Sequence, residues 1–528
     1  MAWDDTRTDG ETLYASEWNA VITQLVGSQS DWSVLIYRDG SNTVAVNAAG
    51  TVISSQMAAT SEVVFQAAHD YLTTGGKIVV LAGTYTFADA VNITYHNISV
   101  QGTTPFFFEF STKRTQITGS SGKKIFNINA AGFSTYGIYY YGGTTALYFD
   151  LPVVHYDIFS LAVSHCGFNY QTAKTIWFDD TQDNGHGYIG NMYICDNYFG
   201  YNSPAPYNIY IDVLRYVTAF RIDHNIFQGS ATTDAIYIHT GYQFEIHSIG
   251  YNYCELTGAG YSFIHIDIDT DEDIKPTLTT EYKMNEGIHG NIFNTTYGAT
   301  HAMFLNLDLV DGYLWYLPIH HNTINKGEIS IVNSVAAGGN AGVICDISNN
   351  MCLAATFTLT GKECTGAGAG YPWNDTFLIH HNYISAVSSI TITDVHSLNF
   401  CDNALGNNVT VTVDGYVDAK ITGNYPNQSA ANYTLALSNY IGTGHEKQYV
   451  HDNIGYVTEN HGRTSVADGG TIAHGLTAAP TWAIVTPITA GEMASVTTMD
   501  ATNLTVAIKK HDNSAGTTQY VNWWCGVY

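Results

Sequence analysis

The chain is short of charge. Only 12% of its 528 residues are Asp, Glu, Lys or Arg, about half the usual share for a globular protein. What charge there is has one sign, since 46 acidic residues against 19 basic ones leave a formal net charge of -27. No basic patch can be assembled to neutralise a phosphate backbone, which excludes nucleic acid as a partner. Polyanionic ligands are repelled too, so metal cations and neutral glycans are the easier partners. The eight cysteines include no CxxC pair and read as small buried hydrophobes. There is no apolar run long enough to cross a membrane, and the opening MAWDDTRTDGETLY is too polar and acidic for an export signal. Membrane insertion is therefore not expected. Disorder is excluded by a hydrophobic fraction of 45%, and the polar surface is left to Asn, Thr, Ser, Gly and 38 tyrosines.

What the chain has instead is a repeated phrase, an apolar residue, two variable positions, an asparagine and usually another apolar residue. It places asparagines at Asn197, Asn225, Asn252, Asn291, Asn322, Asn350, Asn382, Asn403, Asn424 and Asn453. A period of this length marks a solenoid. Leucine-rich repeats also have periodic Asn, but their leucine spacing is absent, and the short β-branched runs bounded by Gly and Asn fit a right-handed parallel β-helix. Each coil turns sharply between strands, and Asn tolerates the left-handed conformation while its amide bonds neighbouring backbone. The expected stack is a ladder of amides flanked by inward Ile, Val, Phe and Leu. A longer step before Asn291 contains the acidic insertion IHIDIDTDEDIKPTLTTEYKMNEG.

Along the chain, residues 1–30 form an acidic leader with a one-sided helical stretch, SEWNAVITQLVG. Residues 31–76 read as a hairpin, with turns at Asp39-Gly40 and Ala49-Gly50, and then a capping helix, TSEVVFQAAHDYLTTGG, with Thr60 or Ser61 as its cap. Coils follow over 77–460. Residues 461–528 alternate like antiparallel strands and read as a β-sandwich. The helix, the Gly75-Gly76 pair, the G-T-Y turn at Gly83 to Tyr85 and the strand ending at Val100 to Gly102 resemble the opening of the pectate-lyase-like β-helix superfamily. That superfamily includes glycan lyases, glycosidases and the tailspikes of tailed viruses. The last segment, with G-T-I-x-H-G-L leading into A-x-P-T, resembles small C-terminal domains of viral tail fibres and spikes, and the leader resembles virion-attachment segments. The resemblance implies an all-β virion appendage, a homotrimer joined to other virion proteins through its N-terminal segment and acting outside the cell on a host surface glycan.

Four groups of residues are candidates for chemistry. Asp179, Asp180 and Asp183 stand beside Gly185-His186-Gly187, with Arg221-Ile222-Asp223 downstream. Polygalacturonase-type hydrolases use a DD pair, a GHG and an R-I-K, but here the spacing is too short and Asp223 replaces the lysine, so a polar turn-rich loop is the competing reading. In FIHIDIDTDED, strict alternation puts His265, Asp267, Asp269 and Asp271 on one strand face and Ile264, Ile266 and Ile268 on the other. Asp267, Asp269 and Asp271 could hold Ca²⁺. Asp267 and Asp269 could equally be a hydrolytic carboxylate pair, or the face could be simply solvated. His289, His320, His380 and His451 lie two before the ladder Asn, with His224, His321 and His381 immediately before it, either as zinc ligands or as a stacked polar ladder. Finally, Tyr140, Tyr210, Trp315 and Trp373 lie in aromatic-rich runs beside Gly or Asp, suited either to stacking on sugar rings or to burial between subunits.

The sequence thus points to a spike or fibre-like protein that adheres to a host glycan. It leaves open a glycan-degrading depolymerase using Asp179, Asp180, Asp267 and Asp269, and a structural sheath. No cofactor is required on any of these readings.

Overall fold

The computed structural model describes residues 32–527, apart from 104–113, 151–158, 180–187, 201–204, 214–215, 230–232, 241–242, 257–261, 270–281, 284–285, 295–300, 309–313, 334–341, 362–374, 386–387, 428–432, 441–447 and 455–456. The expected leader helix and Asp180, Asp183, His186, Asp271 and Trp373 lie outside the described residues. The chain divides into two compact units, Met1–Pro276 with Met284–Phe304, and Thr277–Lys283 with Leu305–Tyr528.

The first unit opens with antiparallel strands Val34–Asp39, Asn42–Asn47 and Val52–Met57. Gly40 and Gly50 take positive φ at the two turns. The helix Ser61–Tyr71 follows. Neither expected cap residue caps it through its side chain: Thr60 Oγ1 donates to the Met57 carbonyl at 3.2 Å, and Ser61 Oγ is engaged with Thr43 Oγ1 at 2.8 Å and with the Ala58 carbonyl. Its apolar face covers the first coil. Phe65 lies edge-on to Tyr85 at 5.6 Å and to Phe87 at 4.9 Å. The buried His69 ring accepts the Thr94 and Tyr95 backbone N–H groups through Nε2. A solenoid end needs such a cover, since an open coil would leave unpaired backbone and apolar surface in water.

Each coil then contributes up to three parallel strands, for example Lys174–Asp179, Tyr188–Cys195 and Tyr198–Phe199. Registry from coil to coil keeps like residues stacked: Ile176 pairs with Ile209, which pairs with Ile236 and then Ile264. Phe168, Phe199 and Phe227 stack at 5.0 and 4.7 Å, and Phe149 lies flat on Phe178 at 4.5 Å. These spacings match the distance between neighbouring strands. Each buried ring contributes about 1.5–3 kcal/mol of hydrophobic stabilisation, so the repeat itself is the core.

The second unit continues the pattern, with Ile319, Ile347, Ile379, Phe400, Ile421 and Val450 in successive register. Two strands run unbroken for 13 residues, Ser389–Cys401 and Thr410–Thr422. They bend at Asp394 and Gly415, both with positive φ, and a Cβ on Gly415 would stand 2.7 Å from Asp394 Oδ1. After the coils, two three-stranded antiparallel sheets enclose a core that includes Ile472, Leu504, Val506, Val521 and Trp523. All seven described cysteines are free, and five are fully buried.

The asparagine ladder is present in both units. In the first, Asn197, Asn225, Asn252 and Asn291 are buried one above another, and each side-chain amide donates to the next asparagine's Oδ1. The second holds Asn322, Asn350, Asn382, Asn403, Asn424 and Asn453 in the same way. Cys166 fills the slot before Asn197 and donates its backbone N–H to Asn197 Oδ1 at 3.0 Å. One expectation is corrected: the left-handed residue is the one before each asparagine, not the asparagine. Asp196, His224, Tyr251, His321, Asn349, His381 and Asp402 have φ of 54 to 59°, and Gly290 and Gly423 stand in the same place. The corner residue makes the turn and faces solvent, which frees the asparagine to turn its amide inward.

Candidate functional site

Outside the core, one sheet face of the first unit collects two parallel columns. Its strands alternate, so residues flanking the buried Leu147, Phe149, Ile176, Phe178, Ile209 and Ile211 lie on the outer side of the sheet, where Tyr148 and Asp179 are themselves buried and Trp177, Tyr210 and Tyr237 are half-buried. The first column is Tyr148, Trp177, Tyr210, Tyr237 and His265, each paired in register with the next. The second, two residues further along each strand, is Asp150, Asp179, Asp212, His239 and Asp267. Five coils thus present an aromatic or imidazole ring beside a carboxylate or imidazole, repeated at the strand spacing of about 4.8 Å.

The rings touch along the column. Tyr148 meets Trp177 at 4.8 Å, Tyr210 and Tyr237 stack at 4.9 Å, and His265 stands edge-on to Tyr237 at 4.9 Å. Lysines sit over them: Lys124 Nζ lies 2.9 Å from the Tyr148 ring centre, and Lys174 Nζ lies 3.4 Å from Tyr210 and 3.9 Å from Trp177. Hydrogen bonds join the columns. Tyr148 Oη donates to Asp179 at 3.0 Å, Tyr210 Oη donates to Asp212 at 3.1 Å, and His239 Nδ1 contacts Asp212 at 2.8 Å. His265 Nδ1 lies 2.9 Å from Asp234.

Partial burial tunes these groups. It pushes Asp150 upward, with Lys124 opposing and Asp179 adding to the rise. For Asp212 burial also acts upward, but the hydrogen bond and charge of His239, the Tyr210 hydroxyl and Lys174 together hold its carboxyl below the ordinary range. Burial lowers Lys124 and Lys174 against the pull of neighbouring carboxylates. The tyrosine hydroxyls of Tyr148, Tyr210 and Tyr237 are driven upward, first by burial and then by the adjacent carboxylates, so they stay protonated donors.

Of the residues singled out from sequence, Tyr210, His265, Asp179 and Asp267 belong to this strip. Asp179 is only 5% exposed. Tyr140 does not belong: its ring is fully buried, stacks on Phe168 at 5.2 Å and hydrogen-bonds Thr135 at 2.6 Å, because its strand position faces the core. Trp315 is in the strand Leu314–His320 and Asp269 ends the strand Ser262–Asp269, but their side chains lie outside the described residues. Asp223 is not a partner for Asp179. It sits at an asparagine turn, accepting the Ser248 hydroxyl and the Gly250 N–H, while Arg221 pairs with Glu286 at 3.2 Å.

The histidines stack with their neighbours at the same turns. His224 lies on Tyr251 at 5.0 Å, and Tyr251 meets His289 at 4.9 Å. His320 and His321 are joined at 2.9 Å, as are His380 and His381, and His380 pairs with Asp346 at 3.1 Å. Among the described residues no group of three or more His, Cys, Asp or Glu is arranged to hold a metal ion.

Sequence reading missed Tyr148, Trp177, Tyr237, Asp150, Asp212 and both lysines. A signal was present, an aromatic or imidazole, an apolar residue and then a carboxylate or imidazole, in YFD, WFD, YID, YIH and HID.

No family model and no curated protein matches the chain. Among solved structures it is similar to the tailspike protein of E. coli bacteriophage HK620 in complex with a pentasaccharide, at 12% identity and a TM-score of 0.39, covering 96% of this chain and 100% of that one. A point mutant of the same tailspike gives 13% and 0.40 over the same shares. The tailspike gp61 of Pseudomonas phage phi297 gives 8% and 0.29, covering 88% and 92%. At these values the function rests on the chain's own residues.

Proposed function

We propose that this protein is a virion spike or fibre that adheres to a glycan on the host surface, with the Tyr148–His265 strip as its binding face. The observation that carries this reading is the pairing of the two columns. A sugar offers an apolar ring face and a rim of hydroxyls, and each coil offers an aromatic ring with a hydrogen-bonding group beside it. Five such rungs span about 19 Å, the length of a short oligosaccharide. Pockets of this mixed character, mostly aromatic with a few placed polar groups, are what small ligands use.

The proposed assembly is a homotrimer. Immediately after the ladder asparagines, the first unit exposes Ile226 and Ile292, and the second exposes Met351, Tyr383, Tyr425 and Ile454. Regularly repeated apolar residues on a sheet face suit contact between copies of the chain. Attachment to the virion is assigned to residues 1–30 and action to the outside of the cell, both from sequence character.

The test is a glycan array, with binding to host envelope fractions alongside. Wild-type protein should retain at least one oligosaccharide class, and Trp177→Ala should lose it. An adhesin leaves its ligand intact, so release of new reducing ends from the bound glycan would favour the depolymerase instead. Retention by Trp177→Ala equal to wild type would remove the strip from the account.

A further inference from the structure

One of the two sheets after the coils is built from Glu459–Val466, Gln519–Gly526 and Trp482–Pro487, with the middle strand antiparallel to both neighbours. Alternation sends Val521, Trp523 and Cys525 into the core and Tyr520, Asn522 and Trp524 to the outer face. The adjacent tryptophans show the difference. Trp523 Nε1 donates to Thr464 Oγ1 at 2.9 Å, whereas Trp524 is about half exposed and stands edge-on to Trp482 at 5.3 Å. Trp482 lies across Gly526, where a Cβ would stand 2.6 Å from its ring, so the glycine makes the space that lets one indole brace the other.

Strand register arranges this outer face in three rows. Trp524 lies beside Ile484, and Tyr520 is level with Ile488, whose N–H donates to the Tyr520 carbonyl. All four are about half exposed. The row between them is polar, with Arg463, Asn522 and Thr486 in register across the three strands and all exposed. Among the described residues, none of these three side chains is hydrogen-bonded or ion-paired. The Arg463 guanidinium rests over the Tyr520 ring at 4.7 Å, and the carboxylate nearest along its own strand face, Glu459, is four residues away.

A dry protein contact would bury the middle row and leave its donors unmet. A sugar matches the face, with ring faces on the two apolar rows and hydroxyls on the row between. Arg463 adds a cation whose donors are open, and a guanidinium pairs best with a planar oxyanion such as carboxylate. We infer that the outer face of this sheet is a second glycan site, separate from the strip, and that it takes a mostly neutral oligosaccharide carrying one carboxylate. Trp524 and Tyr520 are about 14 Å apart along their strand, a span that a trisaccharide covers. A single carboxylate meets Arg463 without the repulsion that a polyanion meets from a chain of net charge -27.

The experiment is calorimetric titration of the full chain, in about 0.15 M salt to screen long-range effects, with trisaccharides ended by glucuronic, galacturonic or sialic acid, each beside its methyl ester. At least one acid should bind about fivefold more tightly than its ester, the upper range for an exposed ion pair. Arg463→Met should erase that preference, and Trp524→Ala should weaken acid and ester alike. Both side chains are exposed, so melting temperatures should stay near the wild-type value. Trp177→Ala, in the other unit, should keep the preference whole. No acid preference in wild type, a preference that survives Arg463→Met or vanishes in Trp177→Ala, or unchanged binding in Trp524→Ala would overturn the inference. So would a lower light-scattering mass in Trp524→Ala, which would give the face to a second copy of the chain. Adhesion through the strip is read separately, from array binding lost in Trp177→Ala, so the two failures are distinguishable.

Discussion

Asn225 Oδ1 accepts two hydrogen bonds from Asn197, one from its backbone N–H and one from its side-chain amide, each at 3.0 Å. Asn225 in turn donates to the Ile194 carbonyl at 2.8 Å and to Asn252 at 3.1 Å. One residue therefore satisfies polar groups on two neighbouring coils. Asn225→Ala strands the Asn197 N–H groups and the Ile194 carbonyl in a dry interior, and each buried unmet group costs about 1–3 kcal/mol. The expected loss is about 3 kcal/mol or more, read from the midpoint of denaturant unfolding. Gly423→Ala should cost less, about 1–2 kcal/mol for a left-handed residue, although its Cβ would meet Asp402 Oδ1 at 2.3 Å. An Asn225→Ala protein as stable as wild type would show that the ladder contributes nothing.

Tyr140 offers a contrast with the strip. Tyr140→Phe removes the bond to Thr135 and should lower stability by about 1 kcal/mol, measured by the same unfolding curve. Glycan affinity should not change, since the ring lies in the core. A tenfold loss of affinity in Tyr140→Phe would mean that the inner face had been assigned wrongly.

Asp212 sets a pH dependence. Its carboxyl is held below the ordinary range in the folded protein, so it adds stability above the unfolded value near pH 4, and that contribution disappears as pH falls through the folded value. Melting temperature followed from pH 6 downward should therefore drop less steeply in Asp212→Asn than in wild type. Identical slopes would contradict the assigned pairing with His239 and Tyr210.

Much of the fold was legible because a solenoid writes its geometry into sequence as a period. The Asn ladder, the helix over the first coil and the alternation of Ile264, Ile266 and Ile268 against His265 and Asp267 all follow from it. The site was less legible. Aromatics cluster in sequence at Tyr139 to Tyr141, whereas a solenoid brings together residues one coil apart, as with Tyr210 and Tyr237. A one-residue shift also exchanges inner and outer faces, and Tyr140 lies on the inner one. The left-handed turn was assigned to the asparagine because Asn tolerates that conformation. In the fold its amide is needed for stacking, and His224 or Asp196 takes the corner instead.

Assembly can be tested separately from binding. Light scattering of the full chain should give the mass of a trimer, and Tyr383→Asp with Tyr425→Asp should shift it toward the monomer, because both side chains are about two-fifths exposed on one face. A wild-type monomer would remove the proposed subunit contact.

Adhesion through the proposed strip requires that the outward aromatic column bind the glycan. The most direct measurement is the dissociation constant of an array-selected oligosaccharide for wild type, for Trp177→Ala and for Tyr210→Ala. Loss of one ring of the column should weaken binding by about tenfold, the upper range for a single aromatic contact, with melting temperatures showing that the variants remain folded. Unchanged dissociation constants in both folded variants would contradict the account.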